Sequence, residues 1–130
     1  MHERPLSPHL SVYRMYRYTL LTSFANRMAG VAISVGFVLL AYWLIALAGG
    51  ARAYAQASAL LATAAMKIVL ALVLMATVYH LLAGIRHLVW DTGHGLERAQ
   101  SQRSAWLIVG LSIVLVLLLG WWILGSRSHP

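Results

Sequence analysis

Three long apolar stretches constrain the fold of this chain more than any other feature of its sequence. In chain order the stretches are 28–47, 64–89 and 105–124. The first and the last contain no charged side chain, and the middle one is uncharged across its interior, 68–79. A helix of about 20 residues spans the hydrocarbon core of a bilayer, which is roughly 30 Å thick. The pattern therefore predicts an all-α membrane protein with three transmembrane helices.

The composition agrees with this prediction and excludes several kinds of site. The chain is 61% hydrophobic and 10% charged, whereas about 25% of the residues of a soluble domain are charged. It contains no cysteine, which excludes disulfides, thiolate-bound zinc, an iron–sulfur cluster held by this chain and haem attached through cysteine. The sequence has no nucleophile paired with a base, no glycine-rich phosphate loop and no pair of carboxylates, so we expect no autonomous catalysis.

The polar stretches between the apolar ones divide the chain into seven segments. The loop between the first two spans is alanine-rich and is compatible with a short helix. In chain order the predicted segments are an N-terminal segment (1–21), the first transmembrane helix (22–48), a loop (49–63), the second transmembrane helix (64–90), a loop (91–104), the third transmembrane helix (105–124) and a tail (125–130).

The basic residues are distributed unequally between the two sides of the predicted membrane. With three spans, the N-terminal segment and the second loop share one side, and that side holds more arginine. The positive-inside rule then predicts a cytoplasmic N-terminus and a periplasmic C-terminus. The net charge of +7 thus indicates topology and contact with anionic lipids, and no nucleic-acid partner. The first side holds Arg4, Arg14, Arg17, Arg27, Arg86, Arg98 and Arg103, and the other holds Arg52, Lys67 and Arg127.

His80 is an ionisable residue inside the second span, about 9 Å along the helix from Arg86. Such residues are costly at membrane depth and are functional candidates. Gly84 and His87 follow at i+4 and i+7, so they share one helix face with His80. An imidazole with a glycine one turn away suits a haem, because the missing side chain lets a flat macrocycle approach the backbone. A hydrogen bond to a neighbouring helix or to water, or a proton relay, would also account for His80.

A haem at His80 would need its second ligand from outside this chain. His80 and His87 are separated by about 10 Å along one helix, and imidazole–metal bonds are only about 2 Å long. Met66 and Met75 lie on the same predicted helix, so the same objection applies to them. If two axial ligands bind the iron, another polypeptide must provide one of them.

A second group of polar residues lies at the start of the first span. Ser23 and Arg27 are one helical turn apart and share a face, and together they suit a carbonyl oxygen or a carboxylate. An arginine that only extends to the headgroups is the simpler interpretation. Arg86 and Asp91 lie at the same depth, and Asp91 is a candidate ion-pair partner of Arg27 or Arg86.

Three motifs occur in order along the chain: residues 4–13 read RPLSPHLSVY, residues 23–30 read SFANRMAG, and residues 80–91 read HLLAGIRHLVWD. Together they resemble the cytochrome b subunit of succinate dehydrogenase, the larger membrane anchor of respiratory complex II. The corresponding family patterns are RPLSPHLxVY, S-x-x-H-R-x-[ST]-G and H-x-x-x-G-I-R-H-L-x-x-D, and the last is the most specific. The third span fits by hydropathy alone.

The resemblance implies a subunit of a hetero-oligomeric, haem-binding helical bundle in a bacterial inner membrane, acting in electron transport and the tricarboxylic acid cycle. It implies that His80 is an axial ligand of haem b and that a second, smaller anchor subunit provides the other histidine. Ser23 and Arg27 occupy the ubiquinone-site positions, with Asp91 near that site. The implied partners are the second anchor subunit, the iron–sulfur subunit, the flavoprotein subunit and membrane lipids.

One residue departs from the family pattern at a position that matters. The histidine that precedes the arginine in the family is Asn26 here, and in relatives that histidine lies near the haem propionates. Arg27 and His87 are then the candidates for the propionate contact. Together with Ser23, Arg86 and Asp91 they form the predicted propionate and quinone neighbourhood. A fumarate reductase anchor of the same architecture stays open as an alternative. So does a small transport or scaffold subunit without haem.

Overall fold

A computed structural model describes the backbone of residues 17–125 and the side chains of residues 20–123. The predicted N-terminal segment up to residue 16, which includes the first motif, and the tail from residue 126 lie outside the described residues.

Four helices account for nearly all of the described chain. They are α1 (Arg17–Ala48), α2 (Ala51–Leu61), α3 (Ala64–Asp91) and α4 (Arg98–Gly125). Three of them contain segments that are long and apolar enough to cross a membrane, judged by length and composition: Leu20–Ala48, Ala64–Asp91 and Arg98–Ile123. The prediction of an all-α membrane protein with three transmembrane helices is confirmed.

Small side chains fill the contacts between the helices. Helix α3 packs against both α1 and α4, and α2 lies against the end of α1. Large apolar side chains point outward, as lipid-facing or partner-facing surfaces require. Small residues allow the backbones of membrane helices to approach closely, so van der Waals contact replaces the hydrophobic effect as the source of packing energy. Among the residues whose side chains are described, the buried ones are Ala29, Ala46, Ala57, Ala83, Ala105 and Ser112.

Helices α1 and α3 pack closely at Gly36. A Cβ atom placed on this glycine would lie 2.5 Å from Cγ1 of Val73, a distance that real Cβ contacts do not tolerate. A larger residue at this position would therefore require the Val73 side chain or the helix backbone to shift.

Local sequence signals set the helix boundaries. Gly50 has a φ of +93° between α1 and α2, a conformation that glycine adopts at little cost. The Thr63 hydroxyl caps α3 by accepting from the Met66 amide at 3.4 Å. Gly93, with a φ of +83°, follows the end of α3.

Helix α4 begins at Arg98, seven residues before the third apolar span. Hydropathy detects only the apolar part of a helix. Residues 98–104 are mostly polar and extend α4 before that apolar part begins. The connection between α3 and α4 is therefore short, residues 92–97. The starts of α1 and α4, the end of α3 and this connection together form one end of the bundle, called here the basic end.

Candidate functional site

A cavity of about 340 Å³ lies between α1 and α3 at the basic end. It brings together four residues that the sequence singled out, Ser23, Arg27, Arg86 and His87. It is called here the head cavity. Helix α1 contributes Thr22, Ser23, Asn26 and Arg27, and α3 contributes Tyr79, Ala83, Arg86, His87 and Trp90.

His80 lies beside the head cavity and contacts α1 through its imidazole. The Nδ1 atom is 3.2 Å from the backbone oxygen of Asn26. A carbonyl oxygen only accepts hydrogen bonds, so Nδ1 donates its proton and the lone pair of the neutral ring is on Nε2. Metal-bound histidines are held in this way, with one ring nitrogen donating to a backbone carbonyl or carboxylate.

Two glycines adjoin His80, one on each helix. A Cβ placed on Gly30 of α1 would lie 3.7 Å from Cε1 of His80, in ordinary contact. A Cβ placed on Gly84 would meet no described atom within 4 Å, so the surface one turn from His80 is open. Sequence reasoning identified Gly84 from its spacing but not the position of Gly30 beside His80, because that position depends on the facing helix.

Asn26 connects His80 to the head cavity. Its backbone oxygen accepts from His80, while its side chain lines the cavity. Its Oδ1 atom is buried and has no hydrogen-bond partner in the described part of the chain. Leaving a buried acceptor unsatisfied costs about 1–3 kcal/mol, so Oδ1 is suited to a ligand that donates a hydrogen bond.

Arg86 is held against the start of α4. Its Nη2 atom donates to the backbone oxygen of Ser101 at 3.0 Å and to the Ser101 hydroxyl at 3.1 Å. The Cζ atom lies 4.1 Å from the centre of the Trp90 ring, a cation–π contact. Trp90 in turn donates from Nε1 to the backbone oxygen of Gly95 at 3.0 Å. Arg86 therefore forms part of the cavity wall and also ties α3 to α4.

His87 and Asp91 differ in their relation to the cavity. His87 lines it, and its Nδ1 atom donates to the backbone oxygen of Ala83 at 2.6 Å. Its ring meets Trp90 edge-on, with centroids 5.1 Å apart. Asp91 is the exposed last residue of α3 and is not among the residues that line the cavity.

Tyr79 is a cavity residue that sequence reasoning missed. Its hydroxyl donates to the backbone oxygen of Thr22 at 3.3 Å, so it bridges α3 and α1. A tyrosine inside an apolar span signals a hydrogen bond to a neighbouring element, and that signal was present in the sequence. Its partner depends on how the two helices are rotated.

A second, apolar crevice of about 240 Å³ shares Tyr79 and Thr22 with the head cavity. Its remaining lining residues are Leu21, Ala25, Ala105, Trp106 and Val109, from α1 and α4.

A larger groove of about 400 Å³ lies between α1 and α3 toward the opposite end. No ionisable side chain lines it, since its residues are apolar apart from Thr77, with Trp43 and Phe37 as the aromatic members. The head cavity is the better candidate for the functional site because its walls contain two guanidinium groups, an imidazole, an amide and hydroxyl groups. Among the described residues, no group of three or more His, Asp or Glu side chains is arranged to hold a metal ion.

Comparisons with known proteins agree on one family. The profile of the Succinate dehydrogenase/Fumarate reductase transmembrane subunit family matches residues 1–119. The chain is 41% identical over 115 residues to a succinate dehydrogenase cytochrome b556 subunit of Paracoccus denitrificans, covering 88% of each chain. It is 40% identical over 117 residues to the Rickettsia felis cytochrome b556 subunit, covering 90% of each. It is 32% identical over 118 residues to the human mitochondrial cytochrome b560 subunit, covering 85% of this chain and 66% of the relative.

Proposed function

This chain belongs to the succinate dehydrogenase/fumarate reductase transmembrane subunit family, as a cytochrome b membrane subunit of succinate dehydrogenase. From that premise we propose what this subunit does in the complex. It binds haem b together with a second membrane subunit and contributes side chains to a ubiquinone site. It also docks the iron–sulfur and flavoprotein subunits, which deliver electrons from succinate.

His80 is the residue of this chain that ligates the haem iron. The contact between its Nδ1 atom and the Asn26 carbonyl, 3.2 Å long, is the single observation that carries this assignment. It sets the tautomer that leaves Nε2 as the ligating atom and fixes the ring against α1. The open surface at Gly84 leaves room for a flat macrocycle. A bound haem would supply a reversible one-electron carrier; His80 would be this chain's ligand to it, and the partner subunit would supply the other.

The head cavity receives the quinone ring. Arg27 offsets negative charge on the quinone oxygen as it is reduced, and Ser23 donates a hydrogen bond to the same region of the ring. Both side chains line the cavity and share one face of α1. His87 and Arg86 complete its far wall from α3, where they are also suited to the haem propionates. Asp91, outside the cavity, sits at the membrane surface near this site.

The basic end faces the cytoplasm of a bacterial inner membrane. This orientation follows from the arginine distribution and the positive-inside rule. It puts the head cavity on the side where the soluble subunits bind, so electrons leaving the iron–sulfur chain reach the quinone without crossing the membrane. The C-terminus is then periplasmic.

The test of this function uses the purified complex with two electron acceptors. Arg27→Gln removes one of the two guanidinium groups that line the head cavity, and Arg52→Gln on α2 makes the same change at the opposite end. Succinate-to-quinone activity should fall by about 100-fold for Arg27→Gln, in line with loss of one group that stabilises a developing oxyanion. Succinate-to-dye activity, which bypasses the membrane site, should be equal in both variants. Undiminished quinone activity in Arg27→Gln would exclude the proposed role.

A further inference from the structure

Trp90 contacts the guanidinium and the imidazole that α3 contributes to the head cavity. The Arg86 guanidinium lies over the face of the indole, with its Cζ atom 4.1 Å from the ring centre. The His87 imidazole meets the indole edge-on, with the centroids 5.1 Å apart and the two planes at 63°. All three residues line the cavity. One aromatic side chain therefore touches both groups at once.

The indole ring of Trp90 is itself held by the connection between α3 and α4. Its Nε1 atom donates to the backbone oxygen of Gly95 at 3.0 Å. Gly95 has a φ of +74°, a conformation that glycine adopts at little cost. A Cβ atom placed on Gly95 would lie 3.6 Å from the Cδ1 and Nε1 atoms of Trp90. The backbone of the connection thus lies directly against the ring and sets its orientation.

Trp90 restrains Arg86 and His87 in a way that their hydrogen bonds do not. Arg86 donates to Ser101 from the single atom Nη2, at 3.0 and 3.1 Å, and bonds at one atom do not fix the plane of a guanidinium group. Contact with an aromatic face does restrict that plane. His87 likewise donates from one atom, Nδ1, to the backbone oxygen of Ala83, and the edge of the indole restrains the rest of its ring.

We propose that Trp90 is a positioning residue of the quinone site, holding the Arg86 guanidinium and the His87 imidazole in the orientation that meets the quinone ring. The inference rests on the proposed function, because it requires the ring to occupy the head cavity. Polar groups that are already oriented stabilise charge developing on a reacting oxygen without reorganising during the reaction. Removing the indole should therefore impair quinone reduction although both polar side chains remain.

The test measures kcat/KM for a tail-free ubiquinone analogue on the purified complex. Trp90→Leu removes the aromatic face and should lower this value by about tenfold, within the range of one cation–π contact. Trp90→Phe keeps an aromatic face and should recover most of that loss. Succinate-to-dye activity should be the same in both variants, because dye reduction bypasses the membrane site. Equal losses in Trp90→Leu and Trp90→Phe, or no loss in Trp90→Leu, would overturn the proposal.

Trp43→Leu is the matched control. Trp43 on α1 also has an aromatic neighbour, Tyr54, with the ring centroids 6.1 Å apart. It lines the groove toward the opposite end and not the head cavity, so its replacement should leave kcat/KM unchanged. A loss equal to that of Trp90→Leu would contradict the inference, because removing any indole would then impair the subunit.

Arg86→Gln tests whether Trp90 acts through Arg86. Once the guanidinium is gone, the indole has no cation left to orient on its face. Trp90→Leu should therefore lower kcat/KM much less in the Arg86→Gln background than in the unsubstituted complex, so the two substitutions should be non-additive. Fully additive losses would show that the indole supports the cavity independently of Arg86, and the positioning role would be wrong.

Arg27, on the other helix, separates failure of this inference from failure of the proposed function. If Arg27→Gln and Arg86→Gln both leave quinone reduction unchanged, the ring does not occupy the head cavity and both proposals fail. If these two variants lower kcat/KM while Trp90→Leu does not, only the inference about Trp90 fails.

A second pair of variants leaves the indole in place. Gly95→Ala strains the backbone that carries the oxygen bonded to Trp90. Gly93→Ala imposes comparable strain in the same connection, at a φ of +83°, where a Cβ atom would meet no described atom within 4 Å. Gly95→Ala should lower kcat/KM for the tail-free analogue more than Gly93→Ala does. Equal values in the two variants would show that the orientation of the indole does not govern the cavity.

Discussion

The imidazole of His80 on α3 donates a hydrogen bond to the backbone oxygen of Asn26 on α1, over 3.2 Å. The acceptor is a main-chain atom, so it is present whatever side chain stands at position 26. The side chain of the same residue is directed into the head cavity. One residue of α1 thus orients the histidine through its backbone and contributes to the adjoining pocket through its amide.

If His80 is the haem ligand as proposed, replacing it should remove the haem. His80→Ala eliminates the proposed ligating nitrogen, and the reduced-minus-oxidised spectrum should lose its low-spin haem b bands. Added imidazole should restore part of the signal by entering the space left by the side chain. His94→Ala, in the exposed connection between α3 and α4, should leave the spectrum unchanged. An unaltered haem spectrum and midpoint potential in His80→Ala would refute the ligand assignment.

Replacing Asn26 should affect quinone binding more than stability. The Oδ1 atom has no partner among the described residues, so Asn26→Ala breaks no hydrogen bond of that atom and should leave the melting temperature of the complex nearly unchanged. If Oδ1 accepts from the reduced quinone, the KM for a tail-free quinone should rise by about 2- to 10-fold, the equivalent of one hydrogen bond. A drop in melting temperature with an unchanged KM would show that Asn26 is structural.

Arg86 should not tolerate lysine. Lysine keeps the charge, but it lacks the planar group that reaches Ser101 and stacks on Trp90. Arg86→Lys should cost about 1–3 kcal/mol at this contact and should speed hydrogen exchange in residues 92–97. Arg103→Lys, an exposed substitution on α4, is the control and should leave exchange unchanged. Equal exchange in the two variants would mean that the Arg86 contacts do not hold this connection.

Gly36 should be required for packing of α1 against α3. Gly36→Ala puts a methyl group 2.5 Å from Cγ1 of Val73, and overpacking of this kind costs about 1–3 kcal/mol. The complex should therefore melt at a lower temperature. Gly110→Ala makes the same change where no described atom lies within 4 Å, and it should have little effect.

The double variant Gly36→Ala/Val73→Ala tests the cause of that loss. Shortening Val73 removes the clashing methyl group, so the two substitutions should be non-additive and the double variant should recover stability relative to Gly36→Ala. Additive losses would show that the glycine is needed for a reason other than contact with Val73.

The fold was largely predictable from the sequence because its main signal is local. An uncharged run of about 20 residues needs a helix to satisfy its backbone in lipid, whatever its neighbours are. The start of α4 at Arg98 was not predictable from hydropathy, since a helix continues past the apolar layer wherever its residues permit it. The short helix α2 (Ala51–Leu61) lies in a stretch whose composition was compatible with it.

The site was predictable only in part. Depth along each span indicated that Ser23 and Arg27 lie level with Arg86 and Asp91. Ser23, Arg27 and Arg86 line one cavity together with His87, whereas Asp91 lies outside it. The sequence also determined that His80 and His87 cannot share one metal, because helical rise separates them by about 10 Å. Both conclusions use distances along a helix axis, which residue numbers encode directly.

Only the tertiary structure decided which side chains face one another. Four contacts depend on how each helix is rotated about its axis. They are the hydrogen bond from His80 to Asn26, the position of Gly30 beside His80, the hydrogen bond from Tyr79 to Thr22, and the hydrogen bonds from Arg86 to Ser101. In a soluble helix an apolar stripe reveals that rotation. Here apolar residues surround the helices on every side, and the rotation is set by close contacts of small residues such as Gly36 and Ala83, which hydropathy does not distinguish from their neighbours.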